Sequence, residues 1–115
     1  MGNLPYLHSI RSRALKYLDG WCSLFGVDDK IRKEATEVLK KYIRVSGREH
    51  HYETPNSAIM AACSLYVVSG ERAGKMNIKT LARAGGISTT IILRHLPKFR
   101  KLRDRRKMKA SSAVQ

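Results

Sequence analysis

The sequence predicts an all-α domain. Three observations point there. Apolar residues recur every three or four positions in segment after segment, no stretch alternates apolar and polar residues as a half-buried strand does, and glycine, proline and capping residues punctuate the helical stretches. Five helices are expected, with the third in the centre and the last two forming a helix-turn-helix. A chain of 115 residues suits one domain with one modest core. The pattern divides it into a domain over residues 1–99 and a basic C-terminal tail over 100–115.

The first helix is expected from Leu4 to Phe25. Leu4, Leu7, Ala14, Leu18, Trp21 and Phe25 share one helical face, Pro5 suits a first turn, and Gly26 ends the helix. Gly20 costs about 1 kcal/mol against alanine, which makes it the place for a bend. The second helix starts at Asp28 or Asp29, where an acidic cap meets the positive helix end. Ile31, Ala35, Val38 and Tyr42 form its apolar stripe, with Leu39 and Ile43 beside it. Its lysines, arginines and glutamates take the wet face. The stretch RVSGREHHYE then reads as a polar loop around Gly47.

Thr54 is expected to cap the third helix, with Pro55 in its first turn. AIMAACSLYVV is apolar nearly all round, as in helices buried at the middle of a domain, and its small residues let neighbours approach closely. SGERAGK is the next loop. The fourth helix runs from Asn77 or Ile78 to about Gly85. The fifth starts after a Ser88 cap and should be disturbed at Pro97, which removes a helix hydrogen bond and crowds the preceding turn. Phe99 and Leu102 would extend the core if the helix resumed. Beyond Lys98 the chain is a basic run broken by one acid, Asp104, and ASSAVQ reads as a frayed end.

The two helices over about residues 77–96 meet the requirements of a helix-turn-helix. Ala82 is small where the second helix crosses, Gly86 tolerates a left-handed backbone, and Leu81, Ile87 and Ile92 face inward. The N-terminal outward positions of the fifth helix are Ser88, Thr89, Thr90, Leu93 and Arg94. Of these, Thr89, Thr90 and Arg94 are the base-reading candidates, because threonine bonds a base edge or touches a thymine methyl and arginine grips guanine by two bonds. Lys75, Lys79, Arg83, Ser88, Lys98, Arg100 and Lys101 are the phosphate candidates. The bland alternative is two core helices joined by a glycine turn, with each cation on a solvated face. Clustering beside the turn favours the phosphate reading.

The charge balance supports it. Lys and Arg number 23 against 9 Asp and Glu, for a net charge of +14. Such self-repulsion is tolerated when a polyanion binds. Double-stranded DNA is the first expected partner, an anionic membrane surface the second and solubility alone the bland third; no membrane span is expected, since no apolar run approaches the roughly 18 residues of a spanning helix. The start lacks the apolar core of a signal peptide, and Tyr6 stands where a myristoylation motif wants Ser or Thr.

Catalytic, cofactor and metal readings find little. No nucleophile–base pattern or phosphate-cradling glycine loop stands out. His50 and His51, with Glu49 and Glu53, lie in a polar stretch without further ligands at useful spacing. Cys22 and Cys63 read as free, buried intracellular thiols. No enzyme, no cofactor and no metal are expected.

The order of elements adds a resemblance. VDDKIRKEATEVLKKY, SAIMAACSLYVVSGER and NIKTLARAGGISTTIIL, within residues 5–99, resemble one cyclin repeat of transcription factor IIB and its archaeal equivalent. Ala61, Ala62 and Tyr66 match the family's core pattern in the third helix, and the GIS turn matches its Gly-Val-Thr or Val-Ser. The resemblance implies a DNA-binding transcription initiation factor, or a stand-alone regulator such as one from a mobile element. It implies TATA-binding protein or the RNA polymerase machinery as partners. It also implies an intracellular place: the nucleus in a eukaryote, the cytoplasm in an archaeon or its virus. The chain departs from the family in having one repeat and no zinc ribbon. The family's base-reading Val and Arg fall on Thr90 and Leu93, so that arginine is missing, though Arg94 aligns with a first-repeat arginine. The alternative is a cyclin-like protein-binding module without sequence-specific DNA binding, anchored by Trp21 or Tyr52, with Trp21 as plain core the simpler reading.

Overall fold

The structure is a computed structural model that describes residues 5–49, 56–71 and 76–114, with side-chain surroundings for 11–45, 56–71 and 76–104. Among the described residues it is all-helical, without strands. The helices are α1 (Pro5–Leu24), α2 (Asp29–Glu49), α3 (Ser57–Leu65), α4 (Ile78–Gly85) and α5 (Thr89–Val114). A π-helical turn, Tyr66–Gly70, prolongs α3.

α3 is the centre, as its composition predicts. Every residue from Ser57 to Leu65 is buried, and the helix touches α1, α2, α4 and α5. Ala58, Ala61 and Ala62 leave room for four neighbours around one axis. The single polar cost is the Ser64 hydroxyl, which is buried with no hydrogen-bond partner. Ala14, Leu18, Trp21 and Cys22 of α1 close one side. On α2 the expected stripe is buried at Ala35, Val38, Leu39, Tyr42 and Ile43 and half-buried at Ile31. Tyr42 stacks on Phe99 with ring centroids 4.1 Å apart, which ties α2 to α5.

Four local expectations change. α2 does not end at a loop around Gly47 but runs to Glu49. One interior glycine costs about 1 kcal/mol, which a long amphipathic helix already nucleated and packed can absorb. α3 is capped by Asn56, not Thr54: Asn56 is extended (φ −68°, ψ 165°) and its Oδ1 accepts from the Ile59 N–H at 2.9 Å. The helix therefore begins after Pro55, which with Thr54 lies outside the described residues. Ser69 and Gly70, read as loop, belong to the π turn, closed by the Glu71 N–H on the Tyr66 carbonyl at 2.9 Å. Gly70 is required there, since a Cβ would overlap the Tyr66 ring and sit 2.7 Å from the Met76 carbonyl oxygen.

The fourth change concerns Pro97. α5 passes through it and continues to Val114. Pro97 leaves the Leu93 carbonyl without its helical donor, a cost of about 3 kcal/mol. Around it Ile92, Leu96, Phe99 and Leu102 are all buried, each contributing roughly 1.5–3 kcal/mol, so packing outweighs the break. Next to the freed carbonyl, the Cys63 thiol donates to the Ile92 carbonyl at 3.6 Å. The helix thus resumes beyond Pro97, and Phe99 and Leu102 extend the core.

Candidate nucleic-acid interface

α4 and α5 meet through a three-residue turn closed by backbone and side-chain caps. Asn77 opens α4, its Oδ1 accepting from the Lys79 N–H at 2.8 Å. Gly86 closes it in the left-handed region (φ 65°, ψ 33°). The Ile87 N–H then reaches the Ala82 carbonyl at 2.9 Å and the Gly86 N–H the Arg83 carbonyl at 3.3 Å, a Schellman closure. Ser88 starts α5, its Oγ accepting from the Ile91 N–H at 3.2 Å. Leu81, Ala82 and Ile92 point into the core as the spacing requires. The C-terminal end of α4 lies against α1: a Cβ at Gly85 would lie 3.3 Å from the Trp21 six-membered ring. Trp21 is itself only 6% exposed, so it is core and not a surface anchor.

The outward residues of α5 form a stripe at helical spacing: Thr90, Leu93, Arg94, Pro97, Lys98 and Lys101 are all exposed. Thr90 and Arg94 stand one turn apart on this face, while Thr89 is half-buried. On α4, Lys79 and Arg83 are exposed, also one turn apart. Ser88 is exposed, but its hydroxyl already caps α5. Lys75 lies outside the described residues.

Arg100 has a different setting from the other phosphate candidates. Its Nε donates to Glu71 Oε2 at 2.7 Å, and its Nη2 lies 2.6 Å from the same oxygen. That hydrogen bond raises its pKa against a smaller opposing effect of burial. Arg103 completes the clasp, its Nη1 donating to Glu71 Oε1 at 3.0 Å and to the Val67 carbonyl at 2.8 Å. Arg103 Nε also donates to Asp104 at 3.0 Å. Two arginines of α5 are thus held against the π turn by one carboxylate. Sequence reading missed Glu71 and Arg103, because their partners lie 29 to 36 residues away and no local pattern marks them.

His95 was also missed. It is half-buried between Arg94 and Lys98, and its pKa is lowered by burial first and then by the Lys98 and Arg94 charges. An imidazole below its ordinary 6.5 is neutral at physiological pH. The thiols are poor nucleophiles: burial pushes Cys63 up to about 12 and raises Cys22 against the opposing charge of Arg32.

Among the described residues, no group of three or more His, Cys, Asp or Glu could hold a metal. His50, His51, Tyr52 and Glu53 lie outside them. No described helix is long and apolar enough to cross a membrane. No family model, curated protein or solved structure matches the chain.

Proposed function

We propose that the chain binds double-stranded DNA by laying the N-terminal half of α5 in the major groove, as a transcription factor or regulator resembling one repeat of transcription factor IIB. The observation that carries this reading is the exposed pair Thr90 and Arg94 on the outer face of a helix-turn-helix, flanked by Lys79, Arg83, Lys98 and Lys101. Thr90 and Arg94 read bases, with half-buried Thr89 contributing at the edge. The lysines and Arg83 hold phosphates, and the net charge of +14 supplies the long-range attraction. Arg100 meets phosphate only in competition with Glu71. TATA-binding protein or the polymerase machinery is the partner class that the family resemblance suggests, with an intracellular location to match. No cofactor or catalytic step belongs to this reading.

The test is a titration of wild type, Arg94→Ala and Lys79→Ala against selected and scrambled duplexes over a salt series. With five to eight phosphate contacts the log–log salt slope is about −4 to −7. Arg94→Ala costs about 1–3 kcal/mol on the selected duplex and much less on the scrambled one, whereas Lys79→Ala weakens both alike. Equal losses for Arg94→Ala on both duplexes would make it a backbone contact. A flat salt response would favour the cyclin-like protein-binding module instead.

A further inference from the structure

The face of α5 assigned to the groove carries an apolar side chain that the proposed contacts leave unused. Leu93 is 53% exposed, one turn beyond Thr90 and next to Arg94. Its neighbours Ile92 and Leu96 are buried, so the helix turns its other leucine-sized residues inward and this one out. Pro97, exposed one turn further along, extends the apolar surface, and Arg94, Lys98 and Lys101 flank it with positive charge. A partner for this strip must combine an anionic frame with a small apolar feature. The major groove offers that combination at one place, the C5 methyl of thymine, set among base edges between two phosphate strands.

Resting on the DNA-binding reading above, we infer that Leu93 is a specificity-determining residue that packs against a thymine methyl. Thr90 and Arg94, within one turn on either side, then fix the register of neighbouring base pairs. Leu93 adds a preference that hydrogen bonds cannot supply, since uracil offers the same groove-edge acceptor as thymine without the methyl.

The test uses the full chain and a duplex selected from random DNA. Each thymine in the site is replaced in turn by deoxyuridine, which removes the methyl and leaves pairing intact. At one position wild type should lose about three- to fivefold in affinity, the value of burying one methyl group. Leu93→Ala should bind thymine and uracil duplexes equally at that position, with unchanged helicity and melting temperature, because the side chain lies outside the core. Wild type indifferent to uracil at every position, while still preferring the selected site, overturns the inference and leaves the DNA reading standing. So does a Leu93→Ala protein that keeps the thymine preference. No duplex binding at all overturns both, and a protein ligand protected by Leu93 would then take the strip.

Discussion

Gly86 offers a stability measurement whose sign depends on one backbone angle. Its φ of +65° lies in the left-handed region, and a Cβ built there meets nothing within 4 Å. Steric crowding therefore contributes nothing to Gly86→Ala, and the cost is conformational alone. A residue with a Cβ pays roughly 1–2 kcal/mol in that region. The lower entropy of alanine in the unfolded chain offsets about 0.4–1 kcal/mol of this. The net loss is about 1 kcal/mol, a fall of roughly 4 °C in Tm for a domain of this size. Gly86→Asn should recover about half, because asparagine tolerates the left-handed region. Gly20 is the control, since its Cβ position is also open but its backbone is helical. Gly20→Ala should stabilise by about 1 kcal/mol. Urea denaturation followed by helical circular dichroism measures all three variants. If Gly86→Ala and Gly20→Ala move stability in the same direction, the left-handed closure does not set the angle between α4 and α5, and the account of the turn is wrong.

Ser64→Ala should stabilise the protein by about 1 kcal/mol, because it removes a buried hydroxyl that has no partner and places a better helix former in the chain centre; a loss of stability in the same urea assay would mean the hydroxyl makes a bond after all. For His95, proton NMR of wild type against His95→Gln should give a midpoint below 6.5 in the free protein. As pH falls from about 6.5 towards that midpoint, the unfolded chain takes up this proton first, so His95 makes folding stability decline with acid over that window. Duplex DNA should move the midpoint upward, since phosphates beside Arg94 and Lys98 relieve the repulsion that holds it down; a midpoint at or above 6.5 without DNA would contradict the half-buried setting.

The parts of this molecule that were legible in the sequence are those governed by local chemistry. α3 announced itself because a helix apolar on all sides has no wet face to spend, and Gly86 because few residues other than glycine sit comfortably at its φ. The exposed positions Thr90, Leu93 and Arg94 of α5 followed from the helical spacing around inward-facing Ile92. The errors share a cause. Gly47 and Pro97 were read by propensity, which acts within a turn, and both were overridden by the helix around them. For Pro97 the overriding force is the packing of residues on three other helices, invisible in a window of ten residues. Thr54 and Asn56 are both good caps, and only the backbone shows which one the helix uses. Glu71 lies in a stretch that reads as loop, so nothing local hinted that it clasps Arg100 and Arg103.

Trp21 is the chain's only tryptophan, and its ring lies against Gly85 just beneath the helix-turn-helix. Close-packed interiors transmit small shifts rather than absorb them. Any shift of α4 against α1 would therefore register in the surroundings of the one indole. On the DNA-binding reading proposed above, this indole would serve as an unlabelled optical gauge of groove engagement, since it lies against Gly85 at the end of α4 and not on the exposed face of α5. Intrinsic fluorescence can thus separate ligands that merely coat the basic surface from those that seat the helix.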